Sequence, residues 1–145
     1  MIDARRRLLA AAERWIGTPY HHAARIHGVA TDCVNLLCSV YEEAGLTGYV
    51  DPGFYRPDWM LHRGEELFLM GVLEAHLHEV PCTLPGDVAL FRYGRCYSHG
   101  AIVVEWPRLI HAFAGLGVVW GDATKHPLLG GASQPRRVKF YSKLS

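Results

Sequence analysis

A cysteine that directly follows an aspartate, Asp32-Cys33, opens a segment with helical spacing, and two later histidines, His99 and His111, interrupt apolar strand-like runs. A thiol in the first turn of a helix faces unpaired backbone N–H groups and the positive end of the helix dipole, both of which favour thiolate. A thiolate nucleophile needs a base within hydrogen-bond reach and a third group that orients the base. His99 begins S-H-G-A-I-V-V after its serine, and His111 sits inside L-I-H-A-F-A, where polarity is otherwise absent. On neighbouring strands of a meander the two rings can lie side by side. Alternation places His99 with Ala101 and Val103, and His111 with Leu109 and Phe113. If that face packs on the helix of Cys33, a Cys-His-His constellation forms.

Blander readings stand beside this one. Cys33, Leu36, Leu37, Val40, Tyr41 and Ala44 form one apolar stripe at helical spacing, so Cys33 is also readable as a core residue. A lone strand histidine is commonly a satisfied core or edge residue, and Cys33, His99 and His111 together also read as a zinc ligand set. His21, His22 and His27 fall in a loop that can line a cleft, whereas His76 and His78 read as the polar side of a helix. Cys38, Cys82 and Cys96 show no C-x-x-C or zinc-finger spacing and are expected to be mostly small buried hydrophobes.

The elements that must position these groups follow from periodicity. Residues 3–16 repeat apolar positions as a helix does, until Gly17 and Pro19 stop it. Residues 18–30 read as a Gly, His and Ala-rich loop. The helix of Cys33 is capped by Thr31 or Asp32, with Gly45 just past its end. Residues 49–59 read as loop, and 64–78 as a third helix with Leu67, Met70, Leu73 and Leu77 inward. After Pro85-Gly86 come short strand-like runs at 87–92, 98–106, 108–114, 118–121 and 138–142. The class is α+β, N-terminal helices packed on a C-terminal antiparallel sheet of about five strands.

Composition narrows the function. A chain of 145 residues, half of them hydrophobic, reads as a single domain over 1–145 with a packed core. A formal net charge of +1 offers no basic stripe for nucleic acid, and Arg5, Arg6 and Arg7 read as a solvated face. Glu13 and Arg14 cut the apolar run after Ala12, short of a secretory core, and no stretch approaches the ~20 residues that span a bilayer. Synthesis in the cytoplasm without a signal peptide, and no membrane insertion, are the expectations.

An ordered set of motifs from Trp15 to Gly115 resembles the NlpC-type cell-wall peptidases, a papain-like family of bacterial and phage enzymes. W-I-G-T-P-Y is similar to the family's G-x-P-Y, T-D-C-V-N-L to its D-C-S-G-L, L-P-G-D-V-A-L-F to its P-G-D-L-x-x-F, and S-H-G-A-I-V-V to its S-H-V-G-I-Y, with I-H-A closing the set. The resemblance implies a papain-like fold, Cys33 as nucleophile, His99 as general base and His111 as the residue that orients it. It further implies Tyr20 at the oxyanion site, with the Cys33 backbone N–H as the other donor, and Asp32 against the substrate peptide. No metal or organic cofactor is implied. The implied reaction is hydrolysis, through an acyl-enzyme, of an amide bond in peptidoglycan stem peptides, between D-glutamate and the diamino acid. Val34 and Asn35 replace the family's serine and glycine, a form that resembles the branch of phage tails, prophages and gene-transfer agents. Phage tail proteins are then partners, and a virion replaces secretion as the route to the wall. The rivals are an acyltransferase or lipid amide/ester hydrolase on a related fold, and a tail assembly component with little activity.

Overall fold

The computed structural model describes residues 2–55, 68–93, 96–125 and 137–144. Helix α1 (Ile2–Trp15) buries Leu8, Ala11, Ala12 and Trp15, the face its periodicity marks out. Arg5, expected on a solvated face, is buried instead. Its Nη1 donates to Asp87 Oδ1 at 2.8 Å and to Pro85 O at 2.9 Å. The L-P-G-D motif is thereby an anchoring device: Asp87 Oδ2 also accepts from Leu84 N, and Tyr41 Oη donates to Gly86 O at 2.6 Å. Gly86 has φ +92°, and a Cβ there would stand 2.9 Å from the Leu8 side chain, so α1 packs this closely only on a glycine.

Between α1 and the next helix, a two-stranded hairpin, β1 (Arg25–Ile26) and β2 (Ala30–Thr31), forms where a plain loop was expected. Helix α2 (Cys33–Glu43) starts on Asp32, whose extended backbone (φ −120°) lets its side chain accept from Asn35 N. Every residue from Cys33 to Tyr41 is buried, including Asn35 and Ser39, so α2 is enclosed all round rather than along one stripe. The enclosure comes from packing against α1 on one side and the sheet on the other, with Tyr55 closing over its first turn.

Helix α3 (Phe68–Glu74) ends before the expected 78, and the expected start at 64, with Leu67, lies outside the described residues, as do 56–59 of the expected loop. His78, read as helical, begins strand β3 (His78–Val80). Backbone pairing with the last strand, β8 (Val138–Ser142), outweighs its helical spacing. The other strands are β4 (Val88–Tyr93), β5 (Cys96–Glu105), β6 (Arg108–Phe113) and β7 (Gly117–Asp122). All pairs are antiparallel in the order β3-β8-β4-β5-β6-β7. Among the described residues the sheet therefore has six strands rather than five, a β4–β7 meander extended at one edge by the returning β8 and then β3.

The sheet separates two apolar clusters. Val88, Leu90, Ile102, Ile110, Val118 and Tyr141 join the helices in the main core. Ala89, Phe91, Ala101, Val103 and Leu109 form a second cluster on the other face, with Val138 and Phe140 packed against it. Among the described residues no helix is long and apolar enough to cross a membrane.

Candidate active site

Ala101, Val103 and Leu109, the alternation partners of His99 and His111, belong to the second cluster, so the histidine face is not the one on which α2 packs. The expected sharing of faces holds while the condition that this face packs on α2 does not, yet the thiol still arrives beside His99. Paired positions between β5 and β6 run from Glu105↔Arg108 to Ile102↔Ile110, while β5 continues to Cys96. Along that continuation Cys33 Sγ lies 4.0 Å from Ser98 O, and the Gly100 N–H points at the sulfur. The first turn of α2 thus delivers its thiol to the edge of β5, against the backbone on either side of His99. Gly100 faces α2 and α3 directly: a Cβ there would lie 2.6 Å from Leu37 Cδ1.

His99 Nε2 and His111 Nδ1 are 2.7 Å apart, within hydrogen-bond reach and buried. Phe113 lies edge-on to the His99 ring at 5.4 Å and tilted to the His111 ring at 5.5 Å, so both imidazoles are boxed. Behind His111, Gly121 of β7 presents no side chain: a Cβ would stand 3.0 Å from His111 Nε2 and 3.1 Å from Leu109 Cδ1.

Burial pushes the Cys33 thiol up from 9.0 to about 12, and the neighbouring Asp32 carboxylate pushes the same way. The N–H groups of Gly100, Cys33 and Val34 oppose this without overcoming it. Burial thus outweighs the helix-start N–H groups that were expected to favour thiolate at Cys33. Tyr20 bridges to Thr31 and senses both Cys33 and Asp32. Burial first, then those two charges, raises its phenol well above the ordinary value, so it remains a proton donor.

Asp32 is buried, its carboxylate turned into the protein. Oδ1 accepts from Asn35 N at 2.9 Å and Asn35 Nδ2 at 3.1 Å. Oδ2 accepts from Ala23 N at 2.8 Å and from Tyr55 Oη, which in turn accepts from Asn35 Nδ2 at 3.0 Å. Tyr55 and Asn35 were missed as site residues. An Asp-x-x-Asn offset at a helix start is a capping signal that points to Asn35; Tyr55 comes from a loop 23 positions away and leaves no local signal. His21 is exposed, whereas His22 Nε2 binds Tyr55 O at 2.9 Å, so only the second reaches this network. Among the described residues no group of three or more His, Cys, Asp or Glu is arranged to hold a metal ion. Cys33 and Cys38 are buried free thiols, and Cys82 is exposed, against expectation.

A helix that presents its first-turn cysteine to an antiparallel sheet bearing paired histidines defines a papain-like fold of the NlpC/p60 kind. The chain matches the NlpC/p60 domain of the peptidoglycan hydrolase SagA at 19% identity and TM-score 0.63, over 93% of this chain and 96% of that one. It matches NlpC1 from Trichomonas vaginalis at 19% identity and TM-score 0.63, over 97% of this chain and 45% of that one. In sequence, 88 residues are 35% identical to the tail tip assembly protein K of Escherichia phage lambda, covering 59% of this chain. The match spans 42% of that relative, less than half its length. No family model matches the chain.

Proposed function

We propose that this chain is a cysteine peptidase that hydrolyses an amide bond in peptidoglycan stem peptides, with Cys33 as nucleophile, His99 as base and His111 orienting it. The observation that carries this reading is the buried His99–His111 contact at 2.7 Å beside the strand backbone that holds the Cys33 thiol. For His99 to accept a proton at Nδ1, Nε2–H must donate to His111 Nδ1. That hydrogen bond then fixes the tautomer and supports the imidazolium. His99 takes the Cys33 proton as sulfur attacks the carbonyl. The oxyanion is met by the Cys33 N–H and the Tyr20 hydroxyl. Collapse expels the amine, which receives the proton from His99, and leaves a thioester. Water, deprotonated by His99, releases the acid and restores the thiol. A thiol that rests protonated suits this scheme, because ionisation accompanies attack instead of preceding it.

The finer assignment within this proposal is cleavage between D-glutamate and the diamino acid. Delivery to the wall by a virion or phage-like particle completes it, supported by the similarity to a tail tip assembly protein. The test is to incubate purified muropeptides with wild-type and Cys33→Ala protein and identify new termini by mass spectrometry. Fragments beginning with the diamino acid, formed by wild type alone, are the expected result. Cleavage only of lipid esters or acyl amides would move the protein to the lipid-directed class, and inertness toward every substrate to a tail assembly role.

A further inference from the structure

Strand β5 runs on past its ladder partner, and the thiol of Cys33 stands at the edge this leaves. Paired positions with β6 end at Ile102↔Ile110. Backbone groups two residues apart on a strand face the same neighbour. Here those groups are Ser98 O and the Gly100 N–H, and the neighbour they meet is sulfur. Sγ lies 4.0 Å from Ser98 O, and the Gly100 N–H points at it. The side chain of Cys33 thus takes the place a further strand residue would fill, with S–H as donor and sulfur as acceptor.

Space, not conformation, asks for glycine at position 100. Gly100 is not among the glycines with positive φ, so its backbone suits alanine equally. A Cβ there, however, would stand 2.6 Å from Leu37 Cδ1, closer than Cβ atoms come. The next atoms, Leu37 Cγ and Leu69 Cδ2, are at an ordinary 3.7 Å, so a single methyl of Leu37 fills the space. Leu37 follows Cys33 by one helical turn, and both project from one face of α2 onto Gly100. The contact that fixes the height of the helix over the strand is therefore one turn from the sulfur.

We propose that the bare Gly100 lets α2 settle on β5 until the Gly100 N–H reaches Sγ, and that this N–H is a further catalytic donor, holding negative charge on the sulfur. The inference deepens the cysteine peptidase reading, on which its chemical meaning rests. Charge develops on sulfur twice. It does so when His99 takes the thiol proton during attack. It does so again when water has added to the thioester and the C–S bond breaks, its electron pair going to sulfur before His99 returns a proton. The Cys33 N–H is then turned to the oxyanion, so the Gly100 N–H, with that of Val34, meets the charge.

The experiment has one arm without substrate and one with it. In the first, the Gly100 amide proton resonance of isotope-labelled wild type is compared with that of Cys33→Ala. Loss of the sulfur acceptor should move it upfield; an unmoved or downfield resonance overturns the inference. In the second, muropeptide turnover is measured on variants shown by urea midpoints to be folded at the assay temperature. Gly100→Ala drives its methyl against Leu37 and lifts the sulfur off the strand. It should lower kcat at least about tenfold with KM nearly unchanged. Gly100→Ala/Leu37→Val moves one methyl from helix to strand and should restore kcat to within about threefold of wild type. A packing role alone would lower the urea midpoint and leave kcat of the folded variant as it was. That outcome, or a loss that Leu37→Val does not restore, overturns the inference. If Gly100→Ala alone does not fold, the amide arm and the double variant decide. If wild type hydrolyses no muropeptide, the peptidase reading falls and the donor's catalytic role with it, while the amide arm separately decides the contact.

Discussion

His99 and His111 meet at 2.7 Å, Nε2 to Nδ1, on the sheet face turned away from the helices. The thiol reaches β5 against Ser98 O and the Gly100 N–H, on either side of His99, and in the proposed mechanism the two rings act as one unit. His111→Ala should leave a folded protein with turnover lowered roughly 100-fold, the scale of a misplaced catalytic group. His111→Asn, which can still accept at a similar position, should recover part of the loss. Cys33→Ala should abolish turnover. Wild-type rates in His111→Ala would remove His111 from the mechanism.

Thiol reactivity should follow exposure. Among Cys33, Cys38 and Cys82, iodoacetamide at neutral pH should modify Cys82 first, because it alone is exposed. Cys33 is buried, and its thiol is pushed up to about 12. Its alkylation should therefore keep rising with pH through the alkaline range and show no plateau near neutrality. Peptide mapping of time courses at several pH values decides the order; early saturation of Cys33 at pH 7 would contradict the burial argument.

Alkaline stability carries the same signature. Cys33 rises from 9.0 to about 12 and Cys38 from 9.0 to about 11, in both cases chiefly through burial. Above pH 9 the unfolded chain loses these protons while the folded chain keeps them. Stability is thus fully present below pH 9 and declines as pH rises through 11 and 12, by up to about 1.4 kcal/mol per pH unit for each thiol. Urea midpoints between pH 8 and 11 should fall less steeply in Cys33→Ser than in wild type. Parallel slopes would mean that the thiol ionises as readily folded as unfolded.

The Arg5–Asp87 pair predicts a stability cost unconnected with chemistry. Their side chains are 11% and 1% exposed, so Arg5→Leu strands a buried carboxylate and should cost about 3–5 kcal/mol. Replacing both partners with apolar residues should recover part of this, although Leu84 N and Pro85 O then lose their contacts. Chemical denaturation of the single and double variants measures the difference.

Local order was legible in the sequence wherever periodicity and capping coincide. The cap, placed at Thr31 or Asp32 and found at Asp32, the helix that follows it and the β4–β7 meander were all legible, and 138–142 is a strand to the residue. What escaped was set by distant partners. Arg5 looked solvated because its partner Asp87 lies 82 positions on. His78 looked helical because the strand that captures it is the last in the chain. The condition that the histidine face packs on α2 was not met, because alternation says which residues share a face, but not which face the helices cover. Tyr55 is the clearest case: nothing near it in the chain marks a tyrosine that will close over the carboxylate beside Cys33.

Gly121 offers a test of the His111 assignment that touches no titratable group. It pairs with Leu109 on the neighbouring strand, and its missing side chain leaves room for the His111 ring. A Cβ at 3.0 Å from Nε2 requires the ring to give way by a few tenths of an ångström. Phe113 and the bond to His99 restrain the opposite side, so the ring must turn out of the alignment that makes the 2.7 Å contact. Gly121→Ala should therefore lower kcat by about tenfold or more with KM nearly unchanged, because orientation of the base is lost while the peptide cleft is not. Combined with His111→Ala, the glycine substitution should add almost nothing, the non-additivity of two changes that act through one ring. Fully additive losses in that double variant would show that Gly121 serves the sheet and not the histidine.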